Sequence, residues 1–127
     1  MAQFPLTESR RRILEQIPDY EVRITPATQR VRVSHDGVTL ADSTQALLVQ
    51  ETRHADVYYV PRSDVDMSNF EATDLSTYCP FKGHASYWSL APDLENFVWS
   101  YEDPYPEVAA LKGYLSFYTD RVQVSVD

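Results

Sequence analysis

Residues 30–43, "RVRVSHDGVTLADS", decide the fold. Val31 and Val33 alternate with polar neighbours on one arm, Val38 and Leu40 lie on the other, and Asp36-Gly37 sits between them. A period of two puts apolar side chains on one face of a strand, and Asp-Gly suits the positive backbone dihedrals of a two-residue hairpin turn. The stretch is expected to be an antiparallel hairpin with one buried face, and similar patterns recur on either side of it.

Downstream, "ALLVQE" (46–51), "VYYVP" (57–61), "HASYWSL" (84–90) and "NFVWSY" (96–101) read as strands, the last two joined by Ala91-Pro92-Asp93. "YLSFYTDRVQVSV" (114–126) reads as a second hairpin about Thr119-Asp120, with Leu115 and Phe117 on a face compatible with Val122, Val124 and Val126. Residues 62–77 show little periodicity and many turn-forming side chains, so a long connection is expected there. Residues 103–113 carry two prolines, allow one helical turn near 106–111, and end at Gly113. Upstream, Thr7 is the expected cap of a helix in which Ile13, Leu14 and Ile17 recur at helical spacing until Pro18 stops it. "YEVRI" (20–24) alternates as a strand, and residues 25–28 read as a connector. The expected class is mainly β with a minor helical part: one compact domain of about eight largely antiparallel strands. Residues 1–29 form a helix-and-strand extension, and residues 30–127 form the β-rich body.

Composition narrows the function classes. A chain of 127 residues with 43% hydrophobic and 13% aromatic side chains can build one packed core. A net charge of −8 repels a phosphate backbone, and no basic, aromatic-interleaved face offsets it, so nucleic acid is not an expected partner. Arg10-Arg11-Arg12 reads as a solvated helix face. No apolar run reaches the roughly 18 residues of a membrane span. The first residues carry charges where a signal peptide would be apolar, and one cysteine makes no internal disulfide. The expected placement is cytoplasmic, without a membrane partner.

The chemistry-bearing stretch is "TYCPFKGHASYW" (77–88), which holds the single cysteine. Cys79 stands three residues before Lys82 in a Pro-Phe-Lys-Gly turn, where an ammonium and turn N–H groups would favour its thiolate. Packing as a small hydrophobe is the competing role. Tyr58, Tyr87 and Tyr101, with Trp88 and Trp99, lie on alternating strands and are candidates either for a pocket wall or for core. Trp99 shares a face with Phe97 and Tyr101 on simple alternation. Arg32 and Glu51 are charges placed in or beside apolar runs, and they would pair if their strands are neighbours. His35, His54 and His84 are far apart in sequence, and Asp64 and Asp66 read as surface carboxylates. No metal and no cofactor are expected.

These segments resemble the domain of unknown function 427 family, also labelled nucleotidyltransferase-like. The blocks that carry the resemblance are "RVRV" (30–33), "ADS" (41–43), Leu47-Leu48 with Glu51, "VYYVPRSDV" (57–65), "TYCPFKGHASYW" (77–88), "VWSYEDPYPEV" (98–108) and "GYLSFYTDRVQV" (113–124). The resemblance implies a compact, mostly β domain and maps Cys79-Pro80 and Lys82-Gly83 onto the family's motif. Nucleotidyl transfer has no counterpart in the residues, since the chain has neither a glycine-rich phosphate loop nor a Gly-Ser followed by a spaced Asp pair.

Two functions follow from this reading. One is a small-molecule site, binding or catalytic, at the Cys79 to Gly83 turn. Its catalytic candidates are Cys79, Lys82 and Glu51, and its ligand-binding candidates are Arg32, Tyr58, Cys79, Lys82, Tyr87 and Tyr101. The other is a non-catalytic interaction module that self-associates, most simply as a homodimer.

Overall fold

The structure, a computed structural model, describes residues 8–90 and 94–127; the expected helix cap Thr7 and the connection Ala91-Pro92-Asp93 lie outside them. One helix, α1 (Glu8–Gln16), precedes ten strands: β1 (Val22–Pro26), β2 (Val31–His35), β3 (Val38–Ser43), β4 (Leu47–Glu51), β5 (Val57–Pro61), β6 (Glu71–Cys79), β7 (Gly83–Leu90), β8 (Leu94–Ser100), β9 (Tyr114–Phe117) and β10 (Gln123–Val126). They form a seven-stranded sheet, ordered β1-β4-β5-β9-β8-β7-β6, and a three-stranded sheet, ordered β10-β2-β3. Every ladder is antiparallel, so the protein is mainly β. The helical turn expected near 106–111 is present as a short 3-10 segment, Pro106–Leu111.

The β2–β3 hairpin turns at Asp36 (φ 49°) and Gly37 (φ 78°), the left-handed backbone that its Asp-Gly pair favours. Val31, Val33 and Leu40 from this hairpin are fully buried against Val60, Phe97, Val98 and Leu115 of the large sheet. This is the inter-sheet core. Alternation in β2 therefore does what a half-buried strand requires: Val31 and Val33 go in, and Arg32 stays out.

Three expectations are corrected. Residues 62–77 are not one long connection: two 3-10 turns, Arg62–Asp64 and Met67–Asn69, lead into β6. β6 is an edge strand exposed along most of its length, and its register breaks between Ala72 and Ser76. A strand that buries neither face carries no apolar alternation to read. Residues 114–126 are not a hairpin either. Both edges of β9 are taken, by β5 and β8, while β10 pairs with the open edge of β2 in the other sheet. A turn closed by Arg121 N–H donating to the Tyr118 carbonyl carries the chain across. Finally, residues 25 and 26 are strand and not connector, because β1 runs through Pro26 opposite Leu47. β1 is an edge strand, the setting that tolerates a proline lacking its N–H.

Candidate functional site

The second face of the large sheet has a different lining. Val49, Tyr59, Ala85, Tyr87, Tyr101, Val108 and Leu111 form a separate buried cluster there, with Cys79 and Trp99 packed on it. In strand order, β4 lies near one edge and the β6–β7 turn at the other. Yet Lys82 Nζ, on that turn, is 2.5 Å from Glu51 Oε1 at the end of β4. Tyr20, just before β1, stacks on Phe81 with ring centroids 4.5 Å apart. The sheet therefore curls until side chains from its two ends meet, and a cavity of about 420 Å³ lies within the curl.

The β6–β7 turn is built to hold Lys82 inward. Lys82 N–H donates to the Cys79 carbonyl, closing the turn, and the Lys82 carbonyl accepts from Tyr105 N–H. Gly83 follows at φ 113°, a backbone that L side chains rarely adopt, with the Asp103 and Pro104 backbone close against the position of any added side chain. Lys82 and Glu51 are 8% and 11% exposed, so this ion pair is almost fully removed from water. Around it, Tyr20 Oη–H donates to Glu51 Oε2, and Cys79 Sγ lies 3.7 Å from Lys82 Nζ. His54 Nε2 stands 3.9 Å from Glu51 Oε2 at the rim.

Tyrosines form much of the wall. Tyr87 Oη lies 2.9 Å from Thr77 Oγ1 and 3.4 Å from Tyr118 Oη, and Trp99 Nε1–H donates to Tyr59 Oη at 3.1 Å. Burial raises the pKa of Tyr59 and Tyr101 well above the ordinary tyrosine value. Tyr118 is pushed up to about 12, by burial first and then by its hydrogen bond with Tyr87. Burial, with the hydrogen bond to Glu51 second, raises Tyr20 too. At neutral pH these hydroxyls are protonated donors.

Of the residues singled out from the sequence, Cys79, Lys82, Tyr87, Tyr101 and Glu51 all line this cavity. Arg32 and Tyr58 are not brought to it. Arg32 lies in the small sheet and pairs with Asp127 at 2.7 Å, so the expected Arg32–Glu51 pair does not form. Tyr58 points to the inter-sheet side, where it packs on the first core. Simple alternation also fails in β8, where Phe97 joins the inter-sheet core and Trp99 the other cluster. The register shifts between Trp88 and Leu90, and Asn96 adopts φ 50°, so the strand does not keep one period.

Sequence reasoning missed Arg10 and Tyr20. Arg10 is buried: its Nε–H donates to the Pro80 carbonyl at 2.8 Å, and its Nη1 pairs with Glu107 at 2.7 Å. Its guanidinium also lies 5.0 Å from the Phe81 ring and 5.1 Å from the Tyr105 ring, which fastens α1 over the Cys79 to Gly83 turn. A signal existed, because Arg10 precedes Ile13, Leu14 and Ile17 by three, four and seven residues and so lies on their stripe. Arg11 and Arg12 face solvent, as a charged helix face should. Tyr20 gave no such signal, since its partners are 31 and 61 positions away in sequence.

Among the described residues, no group of three or more His, Cys, Asp or Glu is placed to hold a metal ion. No helix among them is long and apolar enough to cross a membrane. Fold and site together define a mainly β domain whose larger sheet curls around an aromatic, hydroxyl-rich cavity with a buried ion pair at its closure. The chain belongs to the family described as Domain of unknown function (DUF427), whose model matches residues 23–127, from β1 to the end of the chain. No curated protein matches it.

Proposed function

We propose that this domain binds a small, neutral, ring-bearing molecule in the cavity of the curled sheet. The observation that carries the reading is the convergence on one cavity of Glu51 from β4, Cys79 from β6, Lys82 from the β6–β7 turn, Tyr87 from β7 and Tyr101 from just past β8. Aromatic walls offer stacking surfaces to a planar ring, and tyrosine hydroxyls beside an ammonium and a carboxylate offer both donors and acceptors. Replacing a buried ion pair with apolar side chains is often neutral or stabilising, so stability alone is a weak reason for Lys82 and Glu51 to be there. Neutrality follows from charge. Lys82 is compensated by Glu51, and the chain's net charge of −8 disfavours an anion. Both charged groups are engaged with each other and with Tyr20 and Cys79, which suits binding better than a free nucleophile or base.

A fragment screen by amide chemical-shift mapping tests this. Neutral phenols, pyridones and lactams should shift residues 20, 51, 79–82 and 87 in the native protein, and Lys82→Met should abolish those shifts. Bound fragment should also slow alkylation of Cys79 by iodoacetamide. Shifts scattered over the surface, or unchanged in Lys82→Met, would sink the reading.

Self-association is supported by one separate observation. Among the described residues β6 is the outermost strand of the large sheet, with Leu75 exposed, and a second copy pairing across a two-fold axis would add to it. Light scattering distinguishes that dimer from a monomer.

A further inference from the structure

A second cavity, of about 250 Å³, lies on the inter-sheet side, lined by Val31, Val33, Val60 and Val124 among others. It shares four lining residues with the tyrosine cavity: Ala55, Val57, Trp99 and Tyr118. They gather where the large sheet is split. β5 and β9 pair only at Val60–Leu115 and Pro61–Tyr114, although β5 continues back to Val57 and β9 runs on to Phe117. Continuing the ladder would place Tyr59 opposite Ser116 and Tyr58 opposite Phe117, and neither pair forms. The freed backbone is satisfied another way, because the buried Ser116 hydroxyl donates to the Tyr58 carbonyl at 2.8 Å. A split whose open carbonyl is capped by a buried side chain belongs to the design of the sheet. Trp99 and Tyr118, with centroids 4.7 Å apart, stand at the split and line both sides.

We infer that the two cavities are compartments of one site, joined through the gap between β5 and β9, and that its ligand is a neutral polar ring bearing an unbranched apolar chain. The inference rests on the binding function proposed above and extends it. The ring occupies the tyrosine compartment beside Lys82 and Glu51. The chain passes Trp99 and Tyr118 and ends among the valines of β2, β5 and β10. That compartment has the chemistry for it at its valine end, where aliphatic walls reward each added methylene, while Asp56, Thr119 and Asp120 line another part of it.

A series of 4-alkylphenols from methyl to pentyl, titrated calorimetrically, is the test. Affinity should rise roughly fourfold per added methylene. Intermolecular NOEs should join the terminal methyl of 4-pentylphenol to the methyls of Val33 and Val124. Val124→Phe, which fills the valine compartment from a half-buried position on the otherwise exposed β10, should collapse the pentyl-to-methyl affinity ratio toward one. If 4-methylphenol binds and depends on Lys82 but affinity is flat with chain length, the two-compartment inference falls and the binding function stands. The same holds if the chain's NOEs go only to Ile13 or other residues of the tyrosine side. If no member binds, both fall.

Discussion

The two faces of the large sheet are built from the same strands yet by different chemistry. β5 sends Val60 to the inter-sheet core and Tyr59 to the cavity side; β8 does the same with Val98 and Trp99, and β9 with Leu115 and Tyr114. On one side the result is an aliphatic and phenylalanine core in which Phe97, Val98 and Leu115 are wholly buried. On the other side a buried lysine and carboxylate sit among hydroxyl-bearing rings. In β5 and β9 the pleat accounts for this division, because consecutive side chains leave a strand on opposite faces, whereas in β8 the break in period puts Phe97 and Val98 together on the inter-sheet side. One face holds the fold together, and the other keeps polar groups away from water at the cost of desolvating them. That asymmetry is why the polar end of the proposed site lies on the cavity side, with only its apolar compartment reaching the inter-sheet side.

The largest effect belongs to the packed face. Phe97→Ala removes a ring that meets Phe70 and Phe117 at centroid distances of 5.4 and 6.0 Å, and it should cost about 3–5 kcal/mol in urea unfolding. A loss under about 1 kcal/mol would show that this face is loosely packed and would remove the contrast. The cavity face should respond next, and in a way that depends on pairing. Lys82→Met leaves Glu51 buried with Tyr20 and the rim His54 but no lysine beside it, at a cost of about 3 kcal/mol. Adding Glu51→Leu should recover most of that loss, since the stranded charge is then gone. Additive single and double variants would mean that the two side chains do not depend on each other, and the closure of the curl would need another explanation.

The division between faces also decides what was legible in the sequence. The inter-sheet hairpin was plain because Asp36-Gly37 fixes a turn locally and the valines around it alternate. The cavity wall was half legible. Tyr87, Lys82 and Cys79 stand within nine residues, so their chemistry could be noticed together. Their convergence with Glu51 depends on the curl of a sheet whose ends are joined by side chains, and no local pattern encodes that. Arg32 belongs with Glu51 only if their strands are neighbours, and the two strands lie in different sheets. β6 was missed because an exposed edge has no buried face to impose a period. Pairing between β9 and β10 failed as an expectation because sequence adjacency cannot show that both edges of β9 are already occupied.

The smallest effect, and the most specific to the cavity face, appears at high pH. Burial raises Tyr59 and Tyr101 above their ordinary value, so the folded protein keeps protons that the unfolded chain releases from about pH 10. Their contribution to stability is therefore constant below about pH 10 and is lost as pH rises beyond it. Each buried hydroxyl adds at most about 1.4 kcal/mol of lost stability per pH unit. Urea midpoints measured from pH 7 to 11.5 should be level with respect to these groups and then fall. Tyr101→Phe and Tyr59→Phe should each make the fall shallower while leaving the slope below pH 10 unchanged. Phe97→Ala should instead lower the whole curve with its shape preserved, because the packed face contributes no titrating hydroxyl at that position. If the two tyrosine variants match the native slope above pH 10, the hydroxyls are open to solvent. The contrast between an apolar face and a water-excluding polar face would then be wrong.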